Sequence, residues 1–236
     1  EPLLSGFLGW VHTVACEQNN PQMPASLVVF VLRGGDRMWI DCKDPAACAL
    51  DTAIVKDLVP HINDNFPVVD DAKSRACIGY SMGASGCLGF GVKYPDIFGS
   101  VLVQSPGVWP RFVTWEELTS SEGALTSKFS TRDFLLESVF DGQADYESKN
   151  ICNLLSTALR TNPDLRKHRP KINVWFGRHD PYIPQDESLF ECMGCNQMCI
   201  NFNAVEECFH SSFFQCIKET SSYEAYLNDL YNIFSS

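Results

Sequence analysis

The sequence predicts an α/β fold, a mostly parallel central sheet with helices on both faces. Two observations carry that expectation. Short continuous apolar runs alternate along the chain with segments of helical period, as strands joined by helical crossovers do. One of those runs ends on a serine held between glycines, Gly79-Tyr80-Ser81-Met82-Gly83, directly ahead of a small-residue helix. With 236 residues, 45% of them hydrophobic and 12% aromatic, the chain can bury a sizeable core. It reads as a single domain over residues 1–236.

The elements follow in order. Leu27-Val28-Val29-Phe30-Val31-Leu32, bounded by Pro24 and Gly34-Gly35, reads as a strand buried on both faces. Between Ala46 and Asn65, Leu50, Ile54, Leu58 and Ile62 recur every four residues. That is one face of a helix, with Pro60 expected to kink it late. Arg75 to Gly79 is the next strand, and Ala84 to Tyr94 the helix that follows the serine. Ser100 to Gln104 and Ile172 to Phe176 read as further strands, and Cys199 to Val205 as a fifth. Tyr223, Tyr226, Leu227, Leu230, Tyr231 and Phe234 mark a closing amphipathic helix. The stretch from Pro106 to Lys149 breaks the alternation. It is rich in serine and threonine and carries Trp109, Phe112, Trp115 and Phe129. We expect it either to form a cap-like excursion (106–149) above the carboxyl ends of the strands, where such sheets bind ligands, or to be a long surface loop with its aromatic residues packed beneath.

Charge and cysteine content bound the partners. The 18 basic and 29 acidic residues give a net charge of −11, which argues against nucleic acid or an anionic membrane as partner. No run of about 18 apolar residues occurs, so no membrane span is expected. Eleven cysteines are present, with Cys192, Cys195, Cys199, Cys208 and Cys216 crowded together. Zinc is one reading of Cys192-x2-Cys195-x3-Cys199, but no second pair follows at a familiar spacing. Disulfides in an oxidising compartment, secreted or lumenal, are the favoured reading. The odd count leaves at least one thiol unpaired within the chain, and Cys77, inside a strand pattern, is our choice.

The Gly-x-Ser-x-Gly turn has a specific physics. Its serine sits at a sharp turn with strained backbone angles, so the hydroxyl points out of the sheet. The glycines let strand and helix approach without Cβ clashes. The helix N-terminus then offers amide hydrogens and a positive dipole to a developing oxyanion. Serine is a weak nucleophile and needs a base, oriented by an acid, each in a loop after a later strand and in the order Ser, acid, His. Asp180, in Gly177-Arg178-His179-Asp180-Pro181 after a strand, is the candidate acid. Asp186 reads as a helix N-cap and Asp141 as a turn residue. Among the five histidines, His12 and His168 come too early, His61 falls on a helix, and His179 adjoins the acid. His210, after the last strand, is left as the candidate base, although Cys208 and Cys216 flank it and a purely structural role is the alternative. Met82 N–H and Phe7 N–H are the candidate oxyanion donors, and Trp109 and Tyr80 candidate substrate contacts. No metal or organic cofactor is expected.

The stretch GYSMGASGCLGFGVKYPDIFGSVLVQSPGVW resembles the esterase-D-like branch of the α/β-hydrolases, which includes S-formylglutathione hydrolases, feruloyl esterases and mycolyltransferases. The match lies in the Gly-x-Ser-Met-Gly elbow, in Tyr94-Pro95-Asp96-Ile97-Phe98, and in a strand that ends at Ser105. It is close from Asp51 to Trp109 and loose from Leu27 to Phe234. The resemblance implies an α/β-hydrolase fold and a triad of Ser81, Asp180 and His210. It implies a serine esterase acting on a small-molecule or glycan-linked ester, with acyl transfer by the same residues or a non-catalytic, disulfide-rich binding protein as the alternatives. Two departures stand out. Ser5-Gly6 replaces the family's His-Gly at the oxyanion loop. Almost nothing precedes it, so the family's N-terminal strands are expected to be reduced or missing.

Overall fold

The computed structural model describes residues 24–31, 39–106, 114–120, 135–180, 200–206, 208–209 and 213–234. Among these, four parallel strands form one sheet in the order β1-β2-β3-β4: β1 (Ala76–Tyr80), β2 (Ser100–Gln104), β3 (Lys171–Gly177) and β4 (Ile200–Val205). The spatial order is the chain order, and parallel pairing requires a crossover between each pair. Helix α1 runs through Leu50–Ala53, a π segment Ile54–Leu58 and Val59–Asn65. Helix α2 is Met82–Lys93, α3 Trp115–Thr119, α4 Gln143–Lys149, α5 Ile151–Thr161, α6 Asp164–Lys167, α7 Phe213–Lys218 and α8 Tyr223–Phe234.

Alternation along the strands sends side chains to two cores. Val101 and Val103 of β2 and Ile172, Val174 and Phe176 of β3 face α2 and α5, where Leu88, Val92 and Ala158 meet them. Leu102 and Trp175 face the other way, onto Tyr226, Leu227 and Leu230 of α8. Full burial of such aliphatic side chains is worth about 1.5–3 kcal/mol each. Several polar groups on the strands are paired, although the buried Asn203 Nδ2 on β4 is not. Trp175 Nε1 donates to Asp229 Oδ2 at 2.9 Å, Gln104 Nε2 donates to Tyr226 Oη, and Asn201 Nδ2 donates to Asn173 Oδ1 at 2.9 Å between strand neighbours.

Two sequence expectations are corrected. The run Leu27 to Val31 forms no strand. Leu27, Val29, Phe30 and Val31 are 45, 42, 40 and 38% exposed, and only Val28 packs against the α8 core. An apolar run specifies burial on two faces only if a neighbouring strand pairs with it, and here β1 is the sheet's edge among the described residues. Leu32 lies outside them. The helix expected from Ala46 starts at Leu50, because Asp44 organises the preceding turn. Its Oδ1 accepts from Ala46 N and its carbonyl from Ala47 N and Cys48 N. Pro60, expected to kink the helix late, lies within it, just after an irregular segment. The ring of a helical proline crowds the carbonyl four residues back, and a π segment occupies that position, with Val59 N–H reaching back to Ile54 O.

Within the stretch 106–149, Leu118, Leu135, Val139, Phe140 and Tyr146 form a separate small core with Cys42. Trp115, half-buried, packs on its edge. Trp109, Phe112 and Phe129 lie outside the described residues.

Candidate active site

Strand β1 runs into α2 through Ser81, which has φ 54° and ψ −121°. A non-glycine residue in this region stores about 1–3 kcal/mol of strain, and such strain concentrates at functional sites. The turn is held on three sides. Ser81 N–H donates to Gln104 O at 3.0 Å, and Ser81 O accepts from Ala84 N at 3.0 Å and from Ser85 N at 3.3 Å. Gly79 is required here, since a Cβ on it would stand 2.3 Å from Gly83 O. Gly83 is not, because a Cβ there meets only Trp39 Nε1 at 3.8 Å. The expectation that both glycines avoid a clash is therefore corrected: one does. Met82 opens α2, so its N–H stands at the helix end where amides lack intrahelical partners and the dipole is positive.

Asp180 follows β3 in a turn closed by its own N–H to Gly177 O at 3.0 Å, and it is fully buried. β1 and β3 flank β2, so their carboxyl ends stand about 10 Å apart. An electrostatic effect registers that proximity. Burial first, and the charge of Asp180 second, push the Tyr80 phenol up to about 12. The Asp180 turn is docked on the segment after β4. His179 N–H donates to Cys208 O at 3.2 Å and Arg178 N–H to Val205 O at 2.9 Å. Gly177 is needed because a Cβ would lie 2.0 Å from Cys208 O. Cys208 is bonded to Cys216 across a separation of eight residues, and the His179 ring stacks on Phe209 with centroids 5.5 Å apart.

The other candidates divide as follows. His210, Phe7, Trp109, His12 and Asp186 lie outside the described residues, as do Cys192, Cys195 and Cys199. His61 sits on α1, exposed, with its carbonyl accepting from Asn65 Nδ2 at 2.8 Å. His168 caps α6. Asp141 occupies the turn ahead of α4, beside Gly142 at φ 89°. Cys77 is a free thiol hydrogen-bonded to Cys87, a contact that, with burial, raises the Cys87 pKa well above its usual value. Among the described residues no three His, Cys, Asp or Glu side chains converge as metal ligands.

Ser105, named from the sequence only as the residue on which a strand ends, was given no place in the site. It ends β2, between the strands that carry Ser81 and Asp180, and it is fully buried at φ 42° with an unpartnered Oγ. Its N–H donates to Trp175 O at 2.7 Å. Pro106 after a buried strand was the available signal, since it marks an abrupt turn at that edge of the sheet.

Residues 4–150 match a family model described as "Putative esterase". A 55-residue stretch is 38% identical to the uncharacterized protein YjcH of Bacillus subtilis (strain 168), over 23% of each chain. Among solved structures, the chain resembles an S-formylglutathione hydrolase from Agrobacterium tumefaciens (TM-score 0.55, 17% identity, 83% of this chain and 62% of that one). It also resembles an S-formylglutathione hydrolase from Staphylococcus aureus (0.54, 18%, 84% and 69%) and a ferulic acid esterase (0.51, 18%, 79% and 62%). At these identities the likeness is one of fold, and the chain spans about two thirds of the length of those enzymes.

Proposed function

The chain belongs to the esterase family and has the α/β-hydrolase fold, and on that premise we propose that it is a serine hydrolase that cleaves a carboxylic ester through an acyl-enzyme. Ser81 Oγ attacks the acyl carbonyl. The His210 imidazole takes the serine proton and returns it to the leaving alcohol, and Asp180 orients that imidazole. Met82 N–H and Phe7 N–H stabilise the oxyanion. Water then attacks the acyl-enzyme with the same base, releasing the acid and restoring Ser81.

The observation that carries this reading is the strained Ser81 turn, two strands from a fully buried Asp180 whose charge Tyr80 feels. A serine–imidazole–carboxylate relay spans roughly 8 Å from oxygen to oxygen, two hydrogen bonds and one ring. That matches strand ends about 10 Å apart once the side chains lean inward. The docking of Cys208, two residues before His210, against Gly177 and His179 supports His210 as the base. The Cys208–Cys216 disulfide supports an oxidising compartment, secreted or lumenal. The aromatic residues of 106–149, Trp109 among them, and Tyr80 beside the nucleophile favour an aryl or glycan-linked ester.

The test is labelling with a fluorophosphonate probe together with turnover of a short p-nitrophenyl ester. Wild-type protein should label at Ser81. Ser81→Ala and His210→Ala should lose the label and about three orders of magnitude or more in turnover. Undiminished turnover by Ser81→Ala would overturn the assignment.

A further inference from the structure

Along the flank of α2 runs a cleft that the proposed chemistry does not use. Ser85, Gly89 and Lys93 recur every four residues on that flank, so they share one face of the helix. The upper end begins one helical turn, about 5 Å, below Ser81. The cleft encloses about 50 Å³ and opens to solvent, several times the roughly 10–15 Å³ that a single water needs by the same measure. Trp39, Phe90, Phe140 and Leu154 wall it. Trp39 is held at φ 59°, one of three non-glycine residues with positive φ among those described, and Gly86 is the cradle that admits it, since a Cβ on Gly86 would lie 2.5 Å from Trp39 Cβ. Gly89, midway along, has nothing within 4 Å of where its Cβ would stand.

Two buried polar atoms border this space without a partner. Asp51 is 3% exposed and Ser85 8% exposed, yet Asp51 Oδ1 and Ser85 Oγ make no hydrogen bond. Buried polar atoms are hydrogen-bonded in the great majority of native structures, and an orphaned one calls for a partner. The charges at the cleft are already matched. Lys93 pairs with the other oxygen of Asp51, and Lys149 holds Asp145 Oδ2 at 2.9 Å and Val139 O at 3.3 Å. A ligand anion would find its cations engaged. A ligand ammonium would have to compete with Lys93 for Asp51, with Lys149 close by. What the cleft lacks is a neutral hydrogen-bond donor, carried on a body that its aromatic and aliphatic walls would cover. A water molecule could supply the donor but would leave those walls wet, and a buried water needs two to four polar partners of its own.

We propose that this cleft binds an uncharged alcohol, a molecule with an aromatic or alkyl body whose hydroxyl exchanges a hydrogen bond with Ser85 Oγ, with Asp51 Oδ1 as a second acceptor. The proposal is independent of ester hydrolysis, because binding is read without turnover.

The experiment is isothermal titration with 2-phenylethanol, with phenylacetate and phenethylammonium as charged isosteres. The wild-type protein should bind 2-phenylethanol saturably and more tightly than either isostere. Ser85→Ala should weaken binding roughly fivefold to tenfold through the loss of one hydrogen bond. Gly89→Leu should abolish it by filling the open space, and circular dichroism should show the fold retained. If Gly89→Leu does not fold, Ser85→Ala carries the test. Three results would overturn the proposal. One is the absence of saturable binding, which would mean that the cleft holds only solvent. Another is equal or tighter binding of a charged isostere. The third is a folded Gly89→Leu, or a Ser85→Ala, that binds as the wild type does.

Discussion

Replacing Gly79 with alanine puts a methyl group 2.3 Å from Gly83 O, 2.5 Å from Gly83 C and 2.7 Å from Ala84 N, all of them backbone atoms. Ordinary contact begins near 3.4 Å, so the first turn of α2 must move about 1 Å away from β1 to admit it. No side chain is there to rotate aside. Overpacking of this kind costs roughly 1–3 kcal/mol. The same movement shifts Ser81 relative to Met82 N–H, and a displacement of about 1 Å among reacting groups costs around 100-fold in turnover. Gly83→Ala is the control, because its methyl group meets only Trp39 Nε1 at 3.8 Å. It also removes a glycine from a helix, a gain of up to about 1 kcal/mol. Urea unfolding followed by tryptophan fluorescence, with p-nitrophenyl acetate turnover, measures both effects. Gly79→Ala should lose stability and nearly all activity, while Gly83→Ala keeps both. The reasoning fails if Gly79→Ala behaves as the wild type, or if Gly83→Ala is as damaging as Gly79→Ala.

Further expectations concern the surroundings of the site. The Tyr80 phenol titrates near 12, above its ordinary value of about 10. The neutral form is the one the fold favours, so this contribution to stability is intact below pH 10 and is lost as pH rises toward 12. Tyr94 is also raised, by burial and by Asp41, so ultraviolet titration should show a late tyrosinate phase of which one component moves down in Asp180→Asn and is lost in Tyr80→Phe. Asp229 has its pKa raised, by burial first and against the opposing hydrogen bond from Trp175. Asp229→Asn keeps an acceptor for Trp175 Nε1 and removes the penalised charge, so its stability at neutral pH should equal or exceed that of the wild type, and a lower urea midpoint would contradict this. Replacing both Cys208 and Cys216 with serine opens a loop with a sequence separation of eight residues. The chain-entropy estimate for the stability lost is roughly 2.5 kcal/mol. Because Cys208 O receives the N–H of His179, turnover should fall further than stability alone explains, and equal losses would argue that the staple does not hold the site. Leu88→Ala, in the fully buried centre of the α2 core, should cost about 2–5 kcal/mol in the same unfolding assay with little change in fluorophosphonate labelling.

The strands from Ala76 onward were legible because each is a short apolar run with its own punctuation, and four of them lie within a residue or two of where periodicity puts them. The elbow was legible for the same reason, since Gly79-Tyr80-Ser81-Met82-Gly83 carries its turn chemistry in five adjacent residues. Asp180 could be read from its position after β3. Its full burial, and its effect on Tyr80, could not, because they depend on β1, β2 and β3 lying side by side. The run Leu27 to Val31 shows the limit most plainly. It has a strand's composition, but a strand exists only through hydrogen bonds to another segment, and composition does not say whether one is there.

What the sequence by itself determined is what neighbouring residues encode: the α/β class, the mostly parallel sheet, the tight Ser81 turn between β1 and α2, and the place of Asp180 after β3. Tertiary structure alone decided where distant segments come close. That Gly79 and not Gly83 is indispensable, that Gly177 must yield to Cys208 O, that Gly86 exists to receive Trp39, and that Asp51 and Ser85 share a cleft are all distances between elements far apart in the chain. Periodicity and turn propensity act over a few residues, whereas close packing fixes contacts to a few tenths of an ångström between surfaces that meet only after the chain has folded.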